Sequence, residues 1–89
     1  MPESQNLEAI ARNRAEIDRI DREIVRLLNE RCGRSLAIRD LKSAEHLGIF
    51  DARREEEILE KTAEANEGPL DDEHVHAVYA AILRVMKEA

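Results

Sequence analysis

Apolar residues recur through the first half of the chain at alternating three- and four-residue steps. The positions are Leu7, Ile10, Arg14, Ile17, Asp21, Ile24, Leu28, Arg31, Ser35, Ile38 and Lys42. A seven-residue repeat held over this distance predicts one long helix with a single buried face, from about Leu7 to Ser43. No proline interrupts it, and the opposite face carries Glu16, Arg19, Glu23, Arg26 and Glu30. Gly33, on that outer face, is its one weak helix former, at a cost of about 1 kcal/mol relative to alanine. A break is expected at 45–50, marked by Gly48. Asp51 reads as the N-cap of a second helix, about 52–66, with Ile58, Leu59 and Thr62 on its inner face. Asn66-Glu67-Gly68-Pro69 is a stop signal. Asp71 or Asp72 then caps a third helix, about 71–88, whose stripe is Val75, Val78, Tyr79, Ile82, Leu83 and Met86. There is no strand pattern. The expected fold is all-α, three helices in a single domain spanning 1–89, with one long N-terminal helix.

Charge on the inner stripe changes this picture. A face that is to be buried should be apolar, yet Arg14, Arg31 and Lys42 sit on it. Long cations are rarely buried unless something pairs them. Any one of the three alone reads as a residue snorkelling at the edge of a helical seam. Three on one seam predict that an anionic ligand meets them there.

Length adds a second inference. The first helix should be about 54 Å long, whereas a compact domain of this size has a radius of gyration of only about 12 Å. The second and third helices are too short to cover it. Part of the stripe should therefore bury itself on a second copy, and an intertwined homodimer with antiparallel long helices is the simplest closed arrangement. Arg31 and Lys42 stand about 16 Å apart along the helix and can grip one small ligand between them. Arg14 lies about 25 Å from Arg31 and can reach that ligand only from the partner chain. Two equivalent sites per dimer are expected, each completed by the other copy.

Composition narrows the class. The chain has 89 residues and a net charge of −6, which argues against nucleic acid or an anionic membrane as the main partner. It has one Phe, one Tyr and no Trp, so large aromatic anchors do not stabilise it. Cys32, the single cysteine, forms no internal disulfide and suits a reducing cytoplasm, the expected location. It reads as a half-buried, inert thiol. No apolar run approaches the roughly 20 residues of a membrane span. The polar start, Met1 to Asn6, has no signal-peptide core. His46, His74 and His76 have no convincing metal partner, and no metal or cofactor is expected.

Several short motifs, taken in order, point to a known family. They are Arg14-x-x-Ile17-x-x-x-Asp21, Leu27-Leu28-Asn29-Glu30-Arg31, Lys42, Asp51-Ala52-Arg53-Arg54-Glu55, and the turn from Asn66 to Asp71. In order and spacing they resemble the all-helical chorismate mutases, from Leu7 to Met86. The resemblance implies an intertwined three-helix homodimer that isomerises chorismate to prephenate in phenylalanine and tyrosine biosynthesis. It implies that Arg14 is donated by the partner subunit and that Arg31 and Arg54 belong to the receiving one, the three binding the two substrate carboxylates. By the same resemblance Lys42 hydrogen-bonds the ether oxygen, and Asp51 and Glu55 lie around the substrate hydroxyl. Met86 stands where family members usually carry a small polar residue, often Ser, and is counted among the substrate-binding positions. Their second donor to the ether oxygen, Gln or Glu, falls one position past Ala89. Such domains are often fused to, or activated by, another shikimate-pathway enzyme.

The residue types suit that chemistry. The rearrangement is pericyclic, one C–O bond breaking as one C–C bond forms, and needs no nucleophile, metal or cofactor. Arginine forks on two carboxylates can hold the folded conformer of the substrate. A fixed ammonium stabilises negative charge that grows on the ether oxygen. Each site residue also has a plainer role. Asp51 is a helix cap whether or not it meets substrate. Glu55 suits the first turn of a helix by charge alone. Asp21 reads as a structural partner for a cation or a backbone group, and Met86 is most simply core. Two other functions stay open on the same residues: an isochorismate–pyruvate lyase using the same clamp, and a non-catalytic dimerisation or regulatory module.

Overall fold

The structure, a computed structural model, describes residues 2–48 and 50–89; Met1 and Ile49, the latter within the expected break, lie outside the described residues. The element order is α1 (Pro2–Ala44), α2 (Ala52–Ala65) and α3 (Asp72–Glu88). Among the described residues there is no strand. Helix α1 starts ahead of Leu7, where the stripe begins. Periodicity registers only residues with a face to bury, whereas a polar leader can continue the same backbone, and proline is tolerated in a first turn.

The chain divides into two compact units, residues 1–34 and Ser35–Ala89, with the boundary inside α1. In the first unit the polar face is laced with short-range ion pairs. Arg19 pairs with Glu16 at 2.7 Å, and Arg26 pairs with Glu23 and Glu30. The Arg26 guanidinium, by hydrogen bond and by charge, holds the Glu23 carboxyl below the usual carboxylate range. These are the i,i+3 and i,i+4 spacings that support a helix without tertiary contacts. The apolar stripe is left open: Leu7 is 67% exposed, Ile17 54% and Ile24 47%.

The second unit holds itself together. Helix α2 begins at Asp51, whose carboxylate accepts from the Arg54 amide at 3.0 Å. Helix α3 begins at Asp71, which accepts from the His74 amide at 2.8 Å and from the His74 ring at the same distance. Between them, Asn66 organises the turn. Its amide donates to the Leu70 carbonyl at 2.8 Å and to Asp72 at 2.9 Å, and its oxygen accepts from the Gly68 amide at 3.1 Å. Helices α2 and α3 pack on one another as a helical hairpin. Ile58, Leu59 and Thr62 are half-buried, as are Val75, Tyr79, Ile82 and Leu83, whereas Val78 of the expected stripe is exposed. Met86 is the one buried residue among those described, at 8% exposure.

The end of α1 differs from the sequence expectation in its punctuation. The break falls where expected, but Gly48 does not make it. His46 takes the left-handed conformation, with φ 57°. The Leu47 amide donates to the Lys42 carbonyl at 2.7 Å and the His46 amide to the Ser43 carbonyl at 3.1 Å. That is the paired-bond helix terminus in which glycine usually occupies the left-handed position. Histidine is among the residues enriched there, which is how a non-glycine can hold it.

Candidate functional site

The candidate residues fall into both units. Arg14 and Arg31 belong to the first. Arg14 is exposed and Arg31 half-buried. They lie on one helix about 25 Å apart along its axis, so one small ligand does not touch both within this unit.

Lys42, Asp51, Arg54, Glu55 and Met86 belong to the second unit. Lys42 is in the last turn of α1, where unpaired carbonyl dipoles favour a cation. Its own carbonyl accepts the bond that closes the helix, so the backbone beneath this ammonium is fixed. Asp51 performs the capping role directly, and the helix it starts carries Arg54 and Glu55 in its first turn. The capping bond thus ties the candidate acid Asp51 to the backbone of the candidate cation Arg54. The Arg54 side chain turns to Glu57, with Nη1 to Oε1 at 2.6 Å. Glu57 also receives Lys61 at 3.1 Å; Lys61 first, then Arg54, hold its carboxyl below the usual range. Glu55 instead reaches across to α3, where Lys87 Nζ lies 2.7 Å from its Oε1. Met86, buried in this unit, contributes bulk to the core at a position expected to bind substrate.

Three side chains shape this unit, of which sequence reasoning singled out only Asn66, within its stop signal. Asn66 builds the turn described above. Arg39 spans the last turn of α3, donating to the Met86 carbonyl at 3.0 Å and the Ala89 carbonyl at 2.9 Å. Lys87 joins Glu55 and also lies 4.5 Å from the centroid of the Phe50 ring. Arg39 had one signal in the sequence: it stands one helical turn before Lys42. Lys87 had none beyond being basic in a final helical turn, because its partners are far away along the chain.

Among the described residues, no helix is long and apolar enough to cross a membrane. The family model for chorismate mutase type II matches residues 13–89. Two solved structures of chorismate mutase from Thermus thermophilus are similar in fold. Form I superposes with a TM-score of 0.84 at 36% identity, covering 86% of this chain and 96% of that one. Form II gives 0.86 at 35% identity, covering 89% and 90%. Two bifunctional chorismate mutase/prephenate dehydratases are similar in sequence. The Aquifex aeolicus protein is 47% identical over 67% of this chain, and the Neisseria gonorrhoeae protein 37% over 85%. The chain spans 17% and 20% of the lengths of these curated relatives. A capped Asp51–Glu55 turn, a lysine at the close of the long helix and a match to the family pattern over residues 13–89 agree with one another, and this chain belongs to the chorismate mutase type II family.

Proposed function

We propose that this chain is a chorismate mutase domain, converting chorismate to prephenate in aromatic amino acid biosynthesis. The observation that carries the reading is the near-complete superposition on a Thermus thermophilus chorismate mutase, with a TM-score of 0.84 over 96% of that chain. The residue types agree with it. The substrate is a dicarboxylate with a flexible arm, and Arg31, Arg54 and a partner's copy of Arg14 supply forks for its two carboxylates. Arg54 exchanges its bond to Glu57 for the substrate. Lys42 meets the ether oxygen as the C–O bond opens, where an ammonium gains more in the transition state than in the ground state. Asp51 and Glu55 receive the ring hydroxyl.

The working unit in this proposal is a homodimer. The open stripe of residues 1–34 supports it: a run of apolar side chains such as Leu7, Ile10, Ile17 and Ile24, each 47% or more exposed, is what a second copy would cover. The two bifunctional relatives support a role beside a prephenate-consuming activity, carried on the same polypeptide or on an associated one. A location in the cytoplasm agrees with the lone Cys32. The test is loss of chorismate absorbance with the product identified, together with sedimentation at micromolar concentration. Prephenate from a dimer is the expected result. Pyruvate release from isochorismate would move the chain to the lyase reading, and a folded monomer with full turnover would remove the shared sites.

A further inference from the structure

Lys87 links two segments that the chain keeps far apart in sequence. Its ammonium is 2.7 Å from Glu55 Oε1, in the first turn of α2, and 4.5 Å from the centroid of Phe50, the residue before the Asp51 cap. Glu55 is the less exposed partner, its side chain 27% accessible. The segment from Phe50 to Glu55 is thus held at both ends: by the ring under the ammonium at one, and by the carboxylate at the other. Its middle is held by the Asp51 bond to the Arg54 amide. An isolated exposed ion pair contributes little to stability. This one differs in joining two helices and in fixing one oxygen of a carboxylate that has a role in the proposed site.

We propose that Lys87 is a positioning residue for the Asp51–Glu55 turn, orienting the Glu55 carboxylate toward the hydroxyl of the bound ring. The inference rests on the mutase reading above. Lys87 engages Oε1, which turns Oε2 to the substrate hydroxyl, and the cation over Phe50 keeps the start of α2 from fraying when the site is empty. The contact to a hydroxyl that does not react is made equally in ground state and transition state, so its loss should appear in KM rather than kcat.

The test is steady-state kinetics of the full chain and of Lys87→Met, Lys87→Arg, Glu55→Gln and the Lys87→Met/Glu55→Gln double variant, with circular dichroism to verify helix content. An exposed ion pair sets the scale at about a threefold to fivefold rise in KM for Lys87→Met, with kcat within about twofold. Lys87→Arg restores KM. In the Glu55→Gln background Lys87→Met changes KM no further, because the residue acts through Glu55. A purely structural Lys87 would give a lower melting temperature with KM unchanged, which overturns the proposal. So does an equal KM rise in both backgrounds. If Lys87→Met loses helix content, the Lys87→Arg and Glu55→Gln kinetics decide: a KM for Lys87→Arg as high as that of Glu55→Gln overturns it. A wild-type chain that leaves chorismate unchanged removes the mutase reading and this proposal together. Turnover by the wild type with an unaffected Lys87→Met removes the proposal alone.

Discussion

The two units of this chain solve the problem of being helical in opposite ways. Residues 1–34 form a helix whose order is local: ion pairs at i,i+3 and i,i+4 line one face, and the apolar face stays open. Residues 35–89 combine local caps with bonds across the sequence. Two aspartates cap two helices, Asn66 clamps the turn, Arg39 spans the end of α3 and Lys87 joins α3 to α2. Local pairs contribute only tenths of a kcal/mol each and leave the stripe unused. A unit built that way has an apolar surface to give to another molecule. A unit built on long-range bonds commits its polar groups to itself and can hold a small set of side chains in fixed geometry. In the proposed homodimer the first unit supplies the assembly and the second supplies a positioned turn.

The strongest way to break the comparison is to ask whether Arg14 serves its own chain. Arg14→Ala and Arg31→Ala homodimers should each be nearly inactive. Mixing them should restore activity toward half the wild-type value when all dimers are mixed, since one site then has both arginines and the other neither. Absence of recovery in verified heterodimers would mean that both arginines act within one chain.

Lys42→Ala tests the second unit's claim to the chemistry. Removing one donor to a developing oxyanion lowers kcat by about 10²–10³-fold, and KM should change less. If only KM moves, Lys42 binds an anion and does no more.

Arg39→Met sharpens the contrast between local and long-range order. It removes two charge-assisted bonds to the end of α3, at a cost of about 1–3 kcal/mol, and should lower the melting temperature by roughly 4–8 °C per kcal/mol. Glu16→Gln, on the locally ordered face, should change it by much less, because an exposed i,i+3 pair contributes under about 0.5 kcal/mol. Equal shifts would erase the distinction between the units.

The smallest expected effect has the opposite sign. His46 holds a left-handed backbone that glycine adopts freely, so His46→Gly should stabilise the chain by up to about 1 kcal/mol, read as a rise in melting temperature. A fall would show that the imidazole makes a contact more favourable than the relief of backbone strain.

Much of this architecture was legible because it depends on neighbours in sequence. The helices follow from periodicity, the caps from Asp51 and from the Asp71-Asp72 pair, of which the structure uses Asp71, and the stop from the Asn66-to-Pro69 run, all governed by interactions within about four residues. The charged stripe of Arg14, Arg31 and Lys42 was legible for the same reason, since position on a helix face is fixed by spacing. What failed was local too, but degenerate. Gly48 is the better-known helix terminator, yet His46 turns the chain, because the terminus is set by where the paired carbonyls of Lys42 and Ser43 find donors. Val78 belongs to its helix stripe by spacing but stays exposed, since a hairpin of two short helices covers less than a full stripe.

Sequence by itself determined the all-α class, the three helices, their caps, the family pattern and the list of charged candidates. Tertiary structure alone decided the partners. Lys87 meets Glu55 and Phe50, Arg39 meets the carbonyls of Met86 and Ala89, and Met86 is buried. The physical reason is range: a helix repeats its own geometry from residue to residue, whereas a long cation chooses among many acceptors, and which one it meets depends on how separate helices pack.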